Sequence, residues 1–206
     1  MPRLEMIEHV ETSRKAVAIT FDDGPSPVYT LKVLDIFEEA SGKATFFMIG
    51  RHMEKYPEVV QTVKERGHEI GNHTYSHDRL TSLDKQDCLR EIERVDEMIA
   101  AMTGRKASIF RPPYLDYHAP VVSVCGRLGY KMIGALNTDA LDWEQPGVDH
   151  IVQKTRRHIR NGSILLFHDG FGDRSQTVEA VKILVSELHS QGYELVTVSE
   201  LLKLKL

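Results

Sequence analysis

The chain is poor in cysteine and tryptophan, with two Cys and one Trp in 206 residues. Two thiols cannot build a disulfide framework, so the fold must rest on an apolar core. Cys88 falls on a helical apolar stripe and Cys125 in the apolar stretch VVSVCGRL, and both read as buried, inert thiols. No apolar run approaches the roughly 18 residues a membrane span requires. There is no excess of positive charge: 26 Lys and Arg stand against 30 Asp and Glu, scattered along the chain, which removes the electrostatic footprint of a nucleic-acid binder. The opening MPRLEMIEHVETSRK is charged and has no apolar stretch, so no signal peptide is expected in this sequence. That points to the cytoplasm unless an export segment has been removed. Linkers, low-complexity tracts and internal repeats are also missing, which argues for one domain: residues 15–206, preceded by a lead-in of residues 1–14.

What is present is an alternation of short β-rich runs with longer helical ones. The strand-like runs are residues 15–21, 44–50, 68–73, 107–112, 130–136, 163–169 and 193–199. Between them, Cys88, Ile92, Val95, Ile99 and Met102 fall on one face of a helix that Ser82 or Asp84 can cap and Gly104 can end. Pro57 suits the first turn of another helix, closed by Gly67, and a third is expected over about 175–191. Continuous apolar strands alternating with helices predict a parallel sheet covered by helices. The fold class is α/β. The chain is short for an eight-fold barrel of about 250 residues, which favours a distorted or incomplete (β/α) barrel with about seven parallel strands.

In such folds the chemistry collects at the carboxyl ends of the strands. The reactive residues fall there: Asp22 and Asp23 after the first run, His73 and His77 after the third, Arg111 after the fourth. Asp139 and Asp142 follow the fifth, and His168 with Asp169 ends the sixth. Taken alone, Asp-Asp-Gly-Pro is an ordinary polar turn, and HTYSH reads equally as a turn or a metal site. Together, two imidazoles four apart on a helical turn and one carboxylate could share a cation and leave a position open, the arrangement of a catalytic zinc. His168, closing an apolar strand, has the position of a general acid. The other histidines read as bystanders: His52, His150, His158 and His189 solvated, His9 in the lead-in, and His68 roughly 16 Å from His73 along an extended chain, at the far end of the sheet. His118 could reach over the mouth.

TFDDGP, HTYSH, RPPY, DALDW and LLFH, in this order, resemble the five signature motifs of the polysaccharide deacetylases, carbohydrate esterase family four with its NodB-homology domain. The resemblance spans Thr20 to His168. It implies a distorted barrel and metal-dependent hydrolysis of acetamide bonds in N-acetylated sugars, such as the N-acetylglucosamine units of chitin-like or peptidoglycan polymers, with water activated at the metal. One divalent ion is implied, zinc by default, with cobalt, nickel or manganese as alternatives. By the same resemblance Asp23, His73 and His77 are metal ligands, Asp22 is the base and Arg111 its partner. His168 is the acid, oriented by Asp142. Tyr114 offers its backbone N–H to the oxyanion, and Trp143 and Leu166 wall the acetyl pocket. Residue chemistry alone does not tell the two aspartates apart.

Two departures bear on substrate. Leu115-Asp116-Tyr117-His118 replaces the segment that usually follows RPPY, and the usual export signal is missing. The same chemistry on a small non-sugar amide, an acetylated amine or ring amide in the cytoplasm, therefore stays open as an alternative. A non-catalytic sugar- or metal-binding protein is a third reading, which the intact acid and base oppose.

Overall fold

A computed structural model describes residues 6–206. Each of the seven β-rich runs holds a strand: β1 (Ala16–Asp22), β2 (Thr45–Met48), β3 (Glu69–Asn72), β4 (Ile109–Phe110), β5 (Lys131–Met132), β6 (Ile164–His168) and β7 (Glu194–Leu195). All pairings among them are parallel, in the order β5-β4-β3-β2-β1-β6, with β7 on the first residues of β1. The helices are α1 (Tyr29–Glu39), α2 (Gly50–Lys55), α3 (Pro57–Glu65), α4 (Lys85–Thr103), α5 (Ala119–Leu128), α6 (Val148–Arg156), α7 (Ser175–Ser190) and α8 (Val198–Lys203). The result is a curled parallel sheet, a distorted (β/α) barrel as the sequence pattern predicts.

The central strands β1 and β2 are buried on both faces, and the two-residue alternation of the sheet sorts the side chains. Val17, Ile19 and Phe21 of β1 and Leu165 and Phe167 of β6 pack outward against Val33, Leu34 and Phe37 of α1 and Val181, Leu184 and Val185 of α7. Ala16, Ala18, Phe47, Ile109, Ile133 and Ile164 face the other way, into the barrel, where Val198 and Leu201 of α8 cover its base. Continuing that inward row toward the carboxyl ends brings Thr20 and Asp22 on β1, and Leu166 and His168 on β6, to the mouth. Inward-facing residues are thus apolar low in the barrel and polar at the top.

Between β5 and β6 the sheet is bridged by the lead-in. Ile7 N donates to Met132 O (2.9 Å) and Gly134 N to Ile7 O (3.0 Å) on one side. Ile164 N donates to Glu8 O (3.2 Å) and Val10 N to Gly162 O (2.9 Å) on the other.

The helix ends follow their local signals. Asp84 caps α4 by accepting from the amides of Gln86 and Asp87, each at 2.8 Å, and Gly104 ends it in the left-handed conformation. Pro57 opens α3. Cys88 and Cys125 are buried free thiols, and burial pushes Cys125 up to about 12, so both are inert near neutral pH. Replacing Asp84 by Ala removes two capping bonds far from the mouth. It should cost about 1 kcal/mol of stability, read as a lower Tm in thermal unfolding.

Candidate active site

Two adjacent residues of a strand face opposite sides of the sheet, so Asp22 and Asp23 would not ordinarily share a site. The backbone resolves this. Asp22 is the last residue of β1, and Asp23 adopts φ +73°, a left-handed turn that returns its side chain to the mouth. Aspartate tolerates this region better than most residues. The turn is held from two sides: His52 Nδ1 donates to Asp23 O at 2.7 Å, and Gly170 lies so close that a Cβ there would sit 2.0 Å from the same oxygen.

His73 and His77 also reach the mouth, but not on a helical turn. Thr74 and His77 have φ of +67° and +66°, and the segment is an irregular loop after β3. Side chains the sequence does not advertise hold it. Asn72 Oδ1 accepts from Thr74 N (2.9 Å), and Glu91 Oε2 on α4 accepts from the amides of Tyr75 (3.0 Å) and Ser76 (2.8 Å). The i,i+4 spacing is correct for convergence, and left-handed loop geometry produces it.

The donor atoms fit a cation. One nitrogen or oxygen from each of Asp23, His73 and His77 lies within 4.8 Å of the others. His73 Nδ1 is 2.6 Å from the Arg111 carbonyl, which can only accept, so that nitrogen carries the proton and Nε2 offers its lone pair. That Nε2 is 3.5 Å from Asp23 Oδ1, which is buried without a hydrogen-bond partner. A lone pair facing an orphaned carboxylate oxygen is the donor set a divalent ion satisfies. Burial would raise the Asp23 carboxyl, yet the two imidazoles and the charge of His168 outweigh it and hold the group well below the usual carboxylate range.

Asp22 is anchored differently. Its Oδ1 accepts from Arg111 Nη1 at 2.7 Å, while Oδ2 lies 3.7 Å from His73 Nε2, at the pocket. The buried Arg111 also donates to Thr20 Oγ1 (2.7 Å), Ile133 O (3.1 Å) and Gly134 O (2.8 Å). His168 pairs in register with Asp22 across β1 and β6, so their side chains share one face. Its Nδ1 contacts Asp142 Oδ1 at 2.8 Å, and Asp142 Oδ2 accepts from His168 N and Thr177 Oγ1, both at 2.9 Å. Burial works to lower the imidazole pKa, but the charge and hydrogen bond of Asp142, with Asp23 and Asp22 behind them, raise it to about 9.

A cavity of about 550 Å³ joins these groups, lined by Asp22, Asp23, His73, His77, His168, Leu166, Trp143 and Tyr114 among others. Three other candidates lie elsewhere. Asp139 pairs with His158 (2.8 Å) and Lys154 (3.3 Å) outside the cavity. Asp169 is buried behind the mouth, bonded to Thr30 and pressed against Gly24, and burial pushes it up to about 7. His118 sits at the start of α5 and does not line the cavity. His68 lies at the amino end of β3, where Ala44 N donates to its Nδ1 (3.0 Å); burial lowers it to about 4 and keeps it neutral. Among the supposed bystanders, His189 is exposed, whereas His52 supports Asp23.

The sequence profile of the polysaccharide deacetylase family matches residues 9–133, more than half of the chain. The chain belongs to the polysaccharide deacetylases. A peptidoglycan-N-acetylglucosamine deacetylase of Bacillus cereus is 40% identical over 95% of this chain and 92% of its own length. A chitooligosaccharide deacetylase of Sinorhizobium fredii is 33% identical, over 92% and 93%. The crystal structure of the Bc1960 peptidoglycan N-acetylglucosamine deacetylase superposes with a TM-score of 0.89 at 28% identity, covering 95% of this chain and 91% of that one. The family also includes BA3943 from Bacillus anthracis, a pseudoenzyme with a TM-score of 0.89 at 28% identity, covering 98% of this chain and 70% of that one. Membership alone therefore does not establish turnover. The profile match ends at Ile133, ahead of Asp142, Trp143, Leu166 and His168, so those four rest on the geometry above.

The His168–Asp142 pair gives a direct test. A raised folded-state pKa means that the stabilisation is complete below the ordinary 6.5 and lost as pH rises through about 9. Asp142→Asn keeps the shape and removes the charge nearest the ring, leaving burial opposed only by Asp23 and Asp22. The imidazole pKa should then fall below about 9, followed by NMR titration of His168 in the metal-free protein.

Proposed function

We propose that this deacetylase hydrolyses the acetamide bond of N-acetylglucosamine units in peptidoglycan-like or chitin-like chains, with one divalent ion, zinc by default, held by Asp23, His73 and His77. The observation that supports it is the placing of two differently supported proton-transfer groups in one cavity beside a three-donor site. Arg111 Nη1 donates to one oxygen of Asp22, and the charge and hydrogen bond of Asp142 help to raise the His168 imidazole to about 9. A positioned base and a positioned acid are what amide hydrolysis needs near neutral pH. A bound cation would supply Lewis-acid polarisation of the acetyl carbonyl and a lowered pKa for the attacking water.

The protein's own groups do the rest. Leu166 and Trp143 wall the acetyl methyl. With one oxygen fixed by Arg111, Asp22 uses the other to accept a proton from water as the new C–O bond forms. The Tyr114 amide N–H donates to the developing oxyanion, a contact worth about 3 kcal/mol when well aimed. An amine leaves poorly, so His168, its Nδ1 engaged by Asp142, donates from Nε2 to the nitrogen as the C–N bond breaks. The products are acetate and the free amine.

The role of each aspartate separates on substitution. Asp23→Ala should abolish binding of one zinc per chain, measured by calorimetry, whereas Asp22→Asn should still bind zinc and lose at least 10²-fold in turnover. The reverse pattern would exchange the two roles. For the activity itself, acetate release from N-acetylglucosamine oligomers by zinc-loaded protein is decisive. Release only from small non-sugar amides would move the substrate class, and no release from either would place the chain with the pseudoenzymes.

His168→Ala should depress acetamide hydrolysis by about 10²–10⁴-fold. An activated aryl acetate, whose phenolate departs without a proton, should be affected far less. Equal loss on both substrates would remove His168 from the acid role.

A further inference from the structure

Three of the five large apolar side chains exposed among the described residues stand together at the mouth. Tyr114, Trp143 and Phe171 are 59%, 39% and 47% exposed and all line the cavity. Tyr114 and Trp143 have places in the proposed chemistry, and Phe171 has none. It is also held at some cost. Its φ is +53°, a left-handed conformation unfavourable for a bulky residue. The loop around it is nevertheless fixed: Arg174 Nε donates to Gly170 O (2.8 Å) and its Nη1 to Trp143 O (3.2 Å), and Tyr29 Oη donates to Asp173 Oδ1 (2.8 Å).

The ring contacts place Phe171 relative to the reacting centre. It meets His52 at 4.8 Å and His77 at 5.8 Å between ring centroids, both edge to face. Trp143 stands instead on His168, at 5.2 Å. Phe171 therefore continues the apolar wall on the His77 side, away from the residues proposed to enclose the acetyl methyl. A half-exposed ring, braced from behind and set in a fixed loop, is a stacking surface. Pyranose rings present an apolar face of C–H groups that such a surface fits.

We infer that Phe171 is a stacking platform for the sugar unit adjoining the one deacetylated, so that the enzyme favours oligomers over single sugars. The inference rests on the proposed function. Phe171→Gly suits the positive φ, removes the ring and keeps the loop. In zinc-loaded protein, the ratio of kcat/KM for an N-acetylglucosamine tetramer to that for an aryl acetate should fall about tenfold, the scale of one aromatic contact. The loss should appear in KM for the tetramer. Phe171→Tyr should restore the ratio, and calorimetric zinc affinity should be the same in all three proteins. A ratio unchanged in Phe171→Gly, or a fall caused by weakened zinc binding, would overturn the platform while leaving the deacetylase reading intact. A wild-type protein that hydrolyses the aryl acetate but releases no acetate from any sugar oligomer would overturn both.

Discussion

A single buried cation organises the mouth of this barrel. Arg111 is fully buried, and four of its five N–H donors are used: on Asp22, Thr20 and the carbonyls of Ile133 and Gly134. Its own carbonyl receives the His73 Nδ1 hydrogen. One residue at the end of β4 thereby ties β1 to the chain beyond β5 and fixes the free oxygen of Asp22. It also sets the tautomer of a histidine beside it. Its guanidinium lies over the Phe47 ring at 4.3 Å, which helps to solvate a charge removed from water. A buried ion pair of this kind gives little net stability, because desolvation offsets the Coulombic gain. What it provides is position. Removing either partner leaves an uncompensated charge in the core, so the pair holds the site in one arrangement.

The second half of the site follows the same logic with opposite charge. Asp142 is buried and accepts three hydrogen bonds, from the His168 imidazole, the His168 amide and the Thr177 hydroxyl. Thr177 lies in the first turn of α7, so the outer helix layer helps orient a strand-end histidine. The two supported groups, Asp22 and His168, stand opposite each other in one register of β1 and β6. The spacing between candidate base and candidate acid is therefore set by backbone hydrogen bonds, the stiffest ruler a sheet offers.

Much of this was legible in the sequence, and the failures have identifiable causes. Apolar runs and helical periodicity located all seven strands, most plainly the central ones, which are buried on both faces and read as continuous apolar stretches. Asp84, Gly104 and Pro57 marked helix ends because local backbone chemistry places them there. The motif residues converge because strand ends share one rim. Periodicity could not show the geometry of HTYSH, since left-handed residues at Thr74 and His77 replace the expected helical turn. Nor could it assign His52 to the Asp23 carbonyl or Glu91 to the histidine loop, because both act across the fold from polar helix faces. Thr177 and Arg174 had a weak signal, a polar cluster directly after the sixth strand, but nothing in their spacing names their partners.

The bridge formed by Ile7–Val10 bears on more than the barrel's shape. An open curled sheet has two raw edges, and raw edges are templates for pairing with a second chain. Here one short segment hydrogen-bonds to both margins at once, to Met132 and Gly134 beyond one and to Gly162 and Ile164 at the other. Its removal would free main-chain donors and acceptors on two strands together, beside the apolar Ile133 and Ile164 of the barrel interior. One short segment thereby covers, at both margins, main-chain groups that would otherwise stand unpaired.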